Sequence, residues 1–216
     1  MVENIATATK HHASAGSLYD RIAKLYNITF KFNGYGRSLE HYLRDHPLPI
    51  SAGARILDAG CGTGLLTLAL LKALDLPVHI SAVDLSAQSL ATAKRAVAEE
   101  TRTGNVGFTQ ANVLALPFAD NSFDIIVTSG VLEYVPLKDG FGELARVLAP
   151  GGHLLHLPVR PSLASRFLEV LFRFKAHSPQ EVEAHTSRYF RIVKHYHFPP
   201  LHPIGWTKTA VLAQKV

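Results

Sequence analysis

Cysteine is almost missing from this sequence, since Cys61 is the only one among 216 residues. A single thiol cannot close an intramolecular disulfide, so we expect no disulfide framework and favour a reducing compartment over secretion. The first 17 residues also lack the cationic start and apolar stretch of an export signal, because Lys10, His11 and His12 fall where that stretch would run. The expected location is therefore the cytoplasm.

Long apolar runs are also lacking. The densest run, residues 65–71, ends at Lys72 and is too short to cross a bilayer. We expect a soluble protein, or one that is at most peripheral to a membrane. Internal repeats and low-complexity tracts are missing as well, and the length suits one domain over residues 1–216.

Positive charge is in excess, with 22 Lys and Arg against 17 Asp and Glu, a formal net charge of +5. A basic surface favours an anionic partner such as anionic lipid, nucleic acid or an acidic substrate. The 12 histidines do not predict a metal site. His153 and His156 lie three apart on a predicted strand and so point to opposite faces. We expect no metal.

Short apolar runs alternate with helix-length stretches along the chain. The predicted strands are residues 55–58, 78–83, 106–109, 123–127 and 152–157, and the predicted helices are residues 64–74, 87–102 and 137–148. Residues 190–196 and 207–213 read as two further strands with a Pro-rich loop between them, which predicts an antiparallel hairpin. This pattern predicts an α/β fold of three layers, with a mostly parallel seven-stranded sheet and an antiparallel C-terminal hairpin.

The strongest chemical signal is the run Asp58-Ala-Gly60-Cys-Gly62-Thr-Gly64 after the first predicted strand. Alternate glycines let a backbone approach a ligand closely, at the sheet edge where α/β folds bind ligands. The dinucleotide fingerprint fails here, because its third position is Leu65. The alternative is that the glycines serve the geometry of the turn alone.

A second signal is Asp84, at the end of the second predicted strand. A carboxylate there can accept hydrogen bonds from both hydroxyls of a ribose. The alternative is that Asp84 or Ser86 only caps the following helix, which Ser86 could do alone.

Taken together, these residues resemble the class I S-adenosylmethionine-dependent methyltransferases. The resemblance runs over residues 51–157 and includes the glycine run, Asp84, Asn112 with residues 116–124, residues 129–134 and residues 148–152. Residues 19–27 and 34–37 are similar to the start of quinone-biosynthesis methyltransferases and bacterial phospholipid N-methyltransferases. The resemblance implies a Rossmann-like methyltransferase fold and S-adenosylmethionine as cofactor.

The resemblance also implies roles for individual residues. Asp58 would hold the amino group of the cofactor, Asp84 the ribose hydroxyls, and Leu85 the adenine face. Asn112 stands where these relatives usually have aspartate, but its oxygen can still accept from the adenine amino group. The implied cofactor-binding residues are Tyr19, Tyr26, Asp58, Gly60, Gly62, Gly64, Asp84, Leu85, Asn112, Val113 and Ser129. Tyr19 and Tyr26 would lie on an N-terminal arm that closes over the cofactor.

Catalytic residues are harder to assign, because an activated methyl donor needs alignment more than a strong base. The candidates for moving a proton are Tyr19, Glu133 and Tyr134. Arg160, just past a predicted strand end, is a candidate for an anionic group of the substrate, with a solvated charge as the alternative.

Residues 161–175 form the most individual stretch. At helical spacing Leu163, Phe167, Val170, Leu171 and Phe174 form one stripe, which Leu168 and Phe172 widen. The alternatives are a helix packed on the sheet or on a partner subunit, and a lid or membrane-facing helix over an apolar substrate.

The expected organisation is an N-terminal helical arm or lid (residues 1–50), a cofactor-binding core (51–157), a helical insertion (158–189) and a strand hairpin (190–216). The expected function is methyl transfer to a small or lipid-like acceptor, with a quinone precursor or a phospholipid headgroup amine favoured. Nucleic acid is disfavoured, because no Asn/Asp-Pro-Pro-Tyr/Phe signature and no RNA-binding module is present. The alternatives are a noncatalytic S-adenosylmethionine-binding or scaffold protein and a methyltransferase of a soluble metabolite. The oligomeric state and the acceptor atom stay open.

Overall fold

A computed structural model describes residues 34–100, 105–172, 174–199 and 201–216. Tyr19 and Tyr26, with most of the expected N-terminal arm, lie outside the described residues.

One seven-stranded sheet organises the described chain, in the order β3-β2-β1-β4-β5-β7-β6. Strands β1 to β5 pair in parallel, while β7 runs antiparallel to both β5 and β6. The strands are β1 (Arg55–Ala59), β2 (His79–Asp84), β3 (Asn105–Gln110), β4 (Phe123–Ser129), β5 (Leu148–Leu157), β6 (Phe190–His197) and β7 (Thr209–Lys215). The predicted fold class, a mostly parallel seven-stranded sheet with an antiparallel C-terminal hairpin, is confirmed.

Helices flank this sheet and connect its parallel strands. They are α1 (Tyr35–Asp45), α2 (Leu65–Ala73), α3 (Ala87–Ala98), α4 (Leu137–Val147), α5 (Leu163–Phe172) and α6 (Pro179–Thr186). Leu132–Tyr134 and Pro203–Trp206 form short 3₁₀ helices. Among the described residues, no helix is long and apolar enough to cross a membrane.

The hydrophobic core lies on both faces of the sheet. Successive residues of a strand point to opposite faces, so Ile56 packs with Leu70 of α2 while Leu57 packs with Phe141 of α4. All four side chains have no exposed surface. Burial on both faces explains why the parallel strands read as continuous apolar runs in the sequence.

Two strands begin two or more residues away from their predicted start, while the starts of the other strands agree within one residue. Strand β5 begins at Leu148 instead of residue 152, because Leu148 pairs with Phe123 before the irregularity that precedes Ile125. Strand β7 begins at Thr209 instead of residue 207, and Lys208 makes an isolated bridge with Val159.

The loop between β3 and β4 is tied to α4 by Arg146. The Arg146 guanidinium donates to the carboxylates of Glu143 and Asp120 at 2.7–2.8 Å and to the carbonyls of Leu116 and Phe118. The interaction with Glu143 and Asp120 raises the pKa of Arg146, so it stays charged. This network fixes a loop whose first residues form part of the pocket described below.

Replacing Phe141 by alanine tests the core on the α4 face. Its ring is fully buried and lies edge-on to His156 at 5.4 Å. We expect Phe141→Ala to lower the free energy of unfolding by about 3–5 kcal/mol in denaturant titrations. Phe167→Ala is the matched control, because Phe167 is 70% exposed and should change stability by no more than about 0.5 kcal/mol. Equal losses in the two variants would contradict this packing.

Candidate functional site

A pocket opens at the sheet edge where the parallel strands end. Its volume is about 310 Å³, at the lower end of the range for small-molecule sites. The described part of its wall contains most of the predicted cofactor-binding residues: Asp58, Gly60, Gly62, Asp84, Leu85, Asn112, Val113 and Ser129. The strand order therefore gathers residues from β1, β2, β4 and the β3–β4 loop at one site.

The glycine run forms a tight turn between β1 and α2. A Cβ at Gly60 would lie 2.5 Å from the Val131 Cβ, so no other residue fits without displacing the chain after β4. Gly64 has a positive φ of 88°, and a Cβ there would lie 3.0 Å from Ala93 of α3. Gly64 is not part of the described pocket wall, so the structure gives it a role in helix packing. Gly62 has open space beside its Cα.

Asp84 ties this turn to the end of β2. Its Oδ2 accepts from the Gly62 N–H at 2.8 Å and its Oδ1 from the Ser86 N–H at 2.9 Å. Ser86 itself caps α3 through its hydroxyl, so the cap does not depend on Asp84. Burial raises the pKa of Asp84, and the backbone hydrogen bonds oppose that rise. The backbone donors to this carboxylate are Gly62, Ser86 and Leu85, and the two oxygens together have about four acceptor positions, so a ligand hydroxyl can still donate to it.

Asp58 supplies a second carboxylate, deep in the pocket. Its Oδ2 accepts from the Thr67 hydroxyl at 2.5 Å, whereas its buried Oδ1 has no hydrogen-bond partner. Burial is the main reason why the pKa of Asp58 is raised to about 7. A buried acceptor without a donor is costly, and a cationic amino group in the pocket would satisfy it.

The side of the pocket beyond Asp84 suits a flat ring. Leu85 is 52% exposed although it is apolar, and Val113 contributes a buried apolar surface. Between them, the Asn112 Oδ1 accepts from the Leu114 N–H at 3.0 Å, which leaves its second lone pair and its amide N–H groups for a ligand. The buried Asp58, the half-buried Asp84, the glycine turn and this apolar face together fit the amino, ribose and adenine parts of S-adenosylmethionine.

The opposite end of the pocket is apolar and aromatic. Tyr134 lines it, with its ring centroid 5.8 Å from that of Phe174. Leu168 and Phe172 of α5 also face this end. Glu133 lies outside the described pocket wall, where its Oε1 accepts from the Val159 N–H. Of the described catalytic candidates, the structure therefore brings Tyr134 to the pocket and leaves Glu133 behind it.

Helix α5 has two apolar sides instead of one stripe. Phe172 is buried, while Leu163, Phe167 and Val170 are 87%, 70% and 83% exposed. Phe174 lies past the end of the helix and faces the pocket, so it does not share a helical face with Phe167. The helix covers the pocket with one side and presents the other side to solvent.

The basic residue at the pocket differs from the predicted one. Arg160 is exposed and is not among the described residues that line the pocket. Lys208, which sequence reasoning missed, lines it instead. The available signal was its position: the start of an antiparallel strand beside β5 lies at the same sheet edge as the carboxyl end of β5.

No group of three metal-ligating side chains occurs in the described ranges.

The fold and pocket define the class of protein. A Rossmann-like sheet with a glycine turn after β1 and an acid at the end of β2 is the arrangement of S-adenosylmethionine-dependent methyltransferases. Residues 56–152 match the family model described as a methyltransferase domain. Solved structures agree on the fold: the [4+2]-cyclase SpnF has a TM-score of 0.74 at 19% identity, over 93% of this chain and 95% of that one.

The curated relatives of this chain include methyltransferases of quinone biosynthesis. Demethylmenaquinone methyltransferase of Lactiplantibacillus plantarum is 29% identical over 85% of this chain and 84% of its own length. The Thermus thermophilus protein of the same name is 35% identical over 67% of this chain and 65% of its own length. The Hahella chejuensis protein "Ubiquinone/menaquinone biosynthesis C-methyltransferase UbiE" is 30% identical over 74% and 66%.

This chain therefore carries a methyltransferase domain of the class I S-adenosylmethionine-dependent family. The matched region covers just under two thirds of the second and third relatives. S-adenosylmethionine is the cofactor of the class, and the pocket described above fits it.

Replacing Asp84 tests the cofactor end of the pocket. Asp84→Ala removes the only acidic side chain of the described wall other than Asp58. Loss of charged hydrogen bonds should weaken S-adenosylhomocysteine binding by about 1.5–3 kcal/mol in calorimetry. Asp139→Ala, an exposed acid on α4, should leave the affinity unchanged. Normal binding of S-adenosylhomocysteine by Asp84→Ala would show that Asp84 does not take part in cofactor binding.

Proposed function

We propose that this protein transfers the methyl group of S-adenosylmethionine to a ring carbon of an apolar quinone precursor. The observation that carries the proposal is the division of one pocket into two ends. One end holds two carboxylates beside the glycine turn, and the other is lined by Tyr134, Phe172 and Phe174. The names of the curated relatives support the same acceptor class.

The residue roles follow from the positions in this pocket. Asp84 would accept from the ribose hydroxyls, because backbone N–H groups hold its carboxylate in place at the pocket wall. Asp58 would accept from the amino group through its unpartnered Oδ1. Leu85 and Val113 would enclose the adenine, and Asn112 would bind its edge.

A ring acceptor suits the opposite end better than a phospholipid amine does. Aromatic side chains there can stack on a flat ring. The nearby cation, Lys208, would repel the ammonium of an amine acceptor. The two acids of the described wall belong to the other end, beside the glycine turn.

Methyl transfer requires little from the protein beyond alignment of the acceptor with the methyl group. S-adenosylmethionine supplies a methyl group on a sulfonium, which is already activated for transfer. The pocket residues bring the acceptor carbon close to that methyl, and the covering side of α5 excludes water. Tyr134 is the described candidate for holding the proton of an acceptor hydroxyl.

Labelled methyl transfer tests this proposal directly. The protein is incubated with methyl-labelled S-adenosylmethionine and, separately, with a demethylated quinol or phosphatidylethanolamine, and the products are identified by mass. We expect label on a ring carbon of the quinol and none on the phospholipid. The Asp84→Ala variant is the control for transfer that depends on the pocket. The protein is also tested with an extract of lipids, quinones and metabolites. Cofactor binding without transfer to any component of that extract would favour a noncatalytic protein. Label in a soluble metabolite alone would show that the acceptor is a soluble metabolite and not a quinone precursor.

An apolar acceptor dissolves in membranes, and the outer side of α5 fits an anionic membrane surface. Leu163, Phe167 and Val170 are exposed apolar side chains, and the exposed Arg166 and Lys175 are basic. Apolar side chains enter the interface while basic ones face the lipid phosphates. We propose that this side of α5 contacts an anionic membrane while the other side covers the pocket.

Vesicle sedimentation tests the membrane contact. Each basic residue near an anionic surface contributes about 1 kcal/mol, so binding should be weak and should fall as salt rises. Phe167→Glu with Val170→Glu should abolish sedimentation with phosphatidylglycerol vesicles and leave cofactor affinity intact. Val193→Glu on β6 is the matched control, since Val193 is an exposed apolar residue away from α5. Unchanged sedimentation of the double variant would refute the contact.

A further inference from the structure

Lys208 is a buried cation at the acceptor end of the pocket. The residue is 4% exposed and precedes β7, where its backbone bridges to Val159 beyond the end of β5. A Cβ on Gly130 would lie 2.9 Å from the Lys208 Nζ, so the ammonium sits directly over the chain that leaves β4. Among the described residues of the pocket wall, Lys208 is the one basic side chain.

The ammonium has hydrogen-bonding capacity left. The Lys208 Nζ donates to the Leu157 carbonyl at 3.1 Å. An ammonium has three N–H groups, and this is the single acceptor that its described surroundings provide. The remaining N–H groups have no hydrogen-bond acceptor among the described residues, so an acceptor atom of a ligand could bind them.

Three other titratable groups share this corner. Glu133 has a buried Oε2 without a partner, and both ring nitrogens of His156 are also buried and unpartnered. Burial lowers the pKa of His156 to about 4, so this ring is neutral, and His177 lies close enough to lower that pKa further. Burial also lowers the pKa of Lys208, while the Glu133 carboxylate raises it. The net shift is downward, so Glu133 offsets the effect of burial only in part, and an anion in the pocket would stabilise the charged form of Lys208 further.

The hydrogen bond to the Leu157 carbonyl and the attraction of the Glu133 carboxylate offset only part of the cost of burying a charge at this position. A buried, incompletely bonded ammonium is unfavourable, and an apolar side chain of similar length would fill the same space. The surroundings are apolar, with Phe172, Phe174 and Val159 in the same wall. In such surroundings a cation interacts strongly with an anion, because water does not screen the pair.

We infer that the Lys208 ammonium binds the ionised ring hydroxyl of the acceptor and so activates the neighbouring ring carbon. This inference rests on the proposed function and assigns a residue to its acceptor end. A ring acceptor with one of its hydroxyls ionised matches an apolar aromatic pocket with one cation. The oxygen would receive the two N–H groups that Leu157 does not use.

The reaction balances without any further reactant. The ring hydroxyl loses its proton to solvent and leaves an oxyanion beside Lys208. The electron pair of the oxyanion moves through the ring to the adjacent carbon, which forms the new bond to the methyl group as the sulfur–methyl bond breaks. Sulfur keeps the electrons of that bond as a neutral thioether. The methylated carbon then releases its proton to solvent, which restores the aromatic ring and the oxyanion.

A coloured phenol tests the inference on the wild-type protein. The probe is a nitronaphthol, whose anion absorbs visible light, titrated in the presence of S-adenosylhomocysteine. A cation within about 4–6 Å should make the bound probe about 10- to 1,000-fold more ionised than the free probe at the same pH. A bound probe that ionises at the same pH as the free probe would overturn the inference, whichever acceptor the enzyme uses.

Lys208→Met then removes the charge with little change in length. We expect the variant to bind S-adenosylhomocysteine like the wild type, to bind the probe without extra ionisation, and to lose about 10²- to 10³-fold in kcat for the quinol. Lys194→Met is the matched control, because Lys194 is an exposed lysine of β6 away from the pocket, and it should change none of these readouts.

The outcomes separate the inference from the proposed function. Wild-type kcat in Lys208→Met would overturn the role of Lys208 and leave the methyltransferase assignment standing. An extra ionisation of the probe that disappears in Lys208→Met would support an oxyanion site, even if the quinol were not methylated. Should Lys208→Met fail to fold, the titration of the wild type still decides.

Discussion

The site depends above all on the passage of the glycine turn between the ends of β2 and β4. On one side, the Gly60 and Cys61 N–H groups both donate to the Val83 carbonyl, and Asp84 accepts from Gly62. On the other side, Gly60 lies so close to Val131 that a Cβ would not fit. The turn is therefore fixed by two neighbouring strands at once. No side chain fits at Gly60, so the backbone itself forms the pocket wall there.

Much of this arrangement could be predicted from the sequence because its determinants are local. A strand followed by alternate glycines and a helix, with an acid at the end of the next strand, needs only the parallel order of β1 and β2 to form one site. The structure confirms this order and brings Asp58, Gly60 and Asp84 to one pocket. The N-terminal cap of α3 could also be predicted, since Ser86 has the residue type and position that a cap requires.

The acceptor end could not be predicted in the same way, because long-range pairing creates it. Lys208 reaches the pocket only because β7 lies between β5 and β6 and runs antiparallel to both. In the sequence it is one lysine before an apolar strand, and its position becomes a signal only once that strand is paired with β5. Helix α5 posed a different problem, since helical periodicity shows which residues share a face but not what covers each face. Phe167 and Phe172 look alike in sequence, yet one is exposed and the other lies in the pocket wall.

Opposite charges at the two ends of the pocket favour one orientation of a bound ligand. The carboxylates of Asp58 and Asp84 favour the end of a ligand that carries a cationic amino group and hydroxyls. Lys208 favours electron-rich oxygen at the other end, where the ring of an acceptor would lie. In surroundings of low polarity these preferences are strong, so a ligand bound in the reverse orientation would set like charges against each other. The same charges that are costly to bury in the free protein thus select both the molecules that enter and the way in which they face each other.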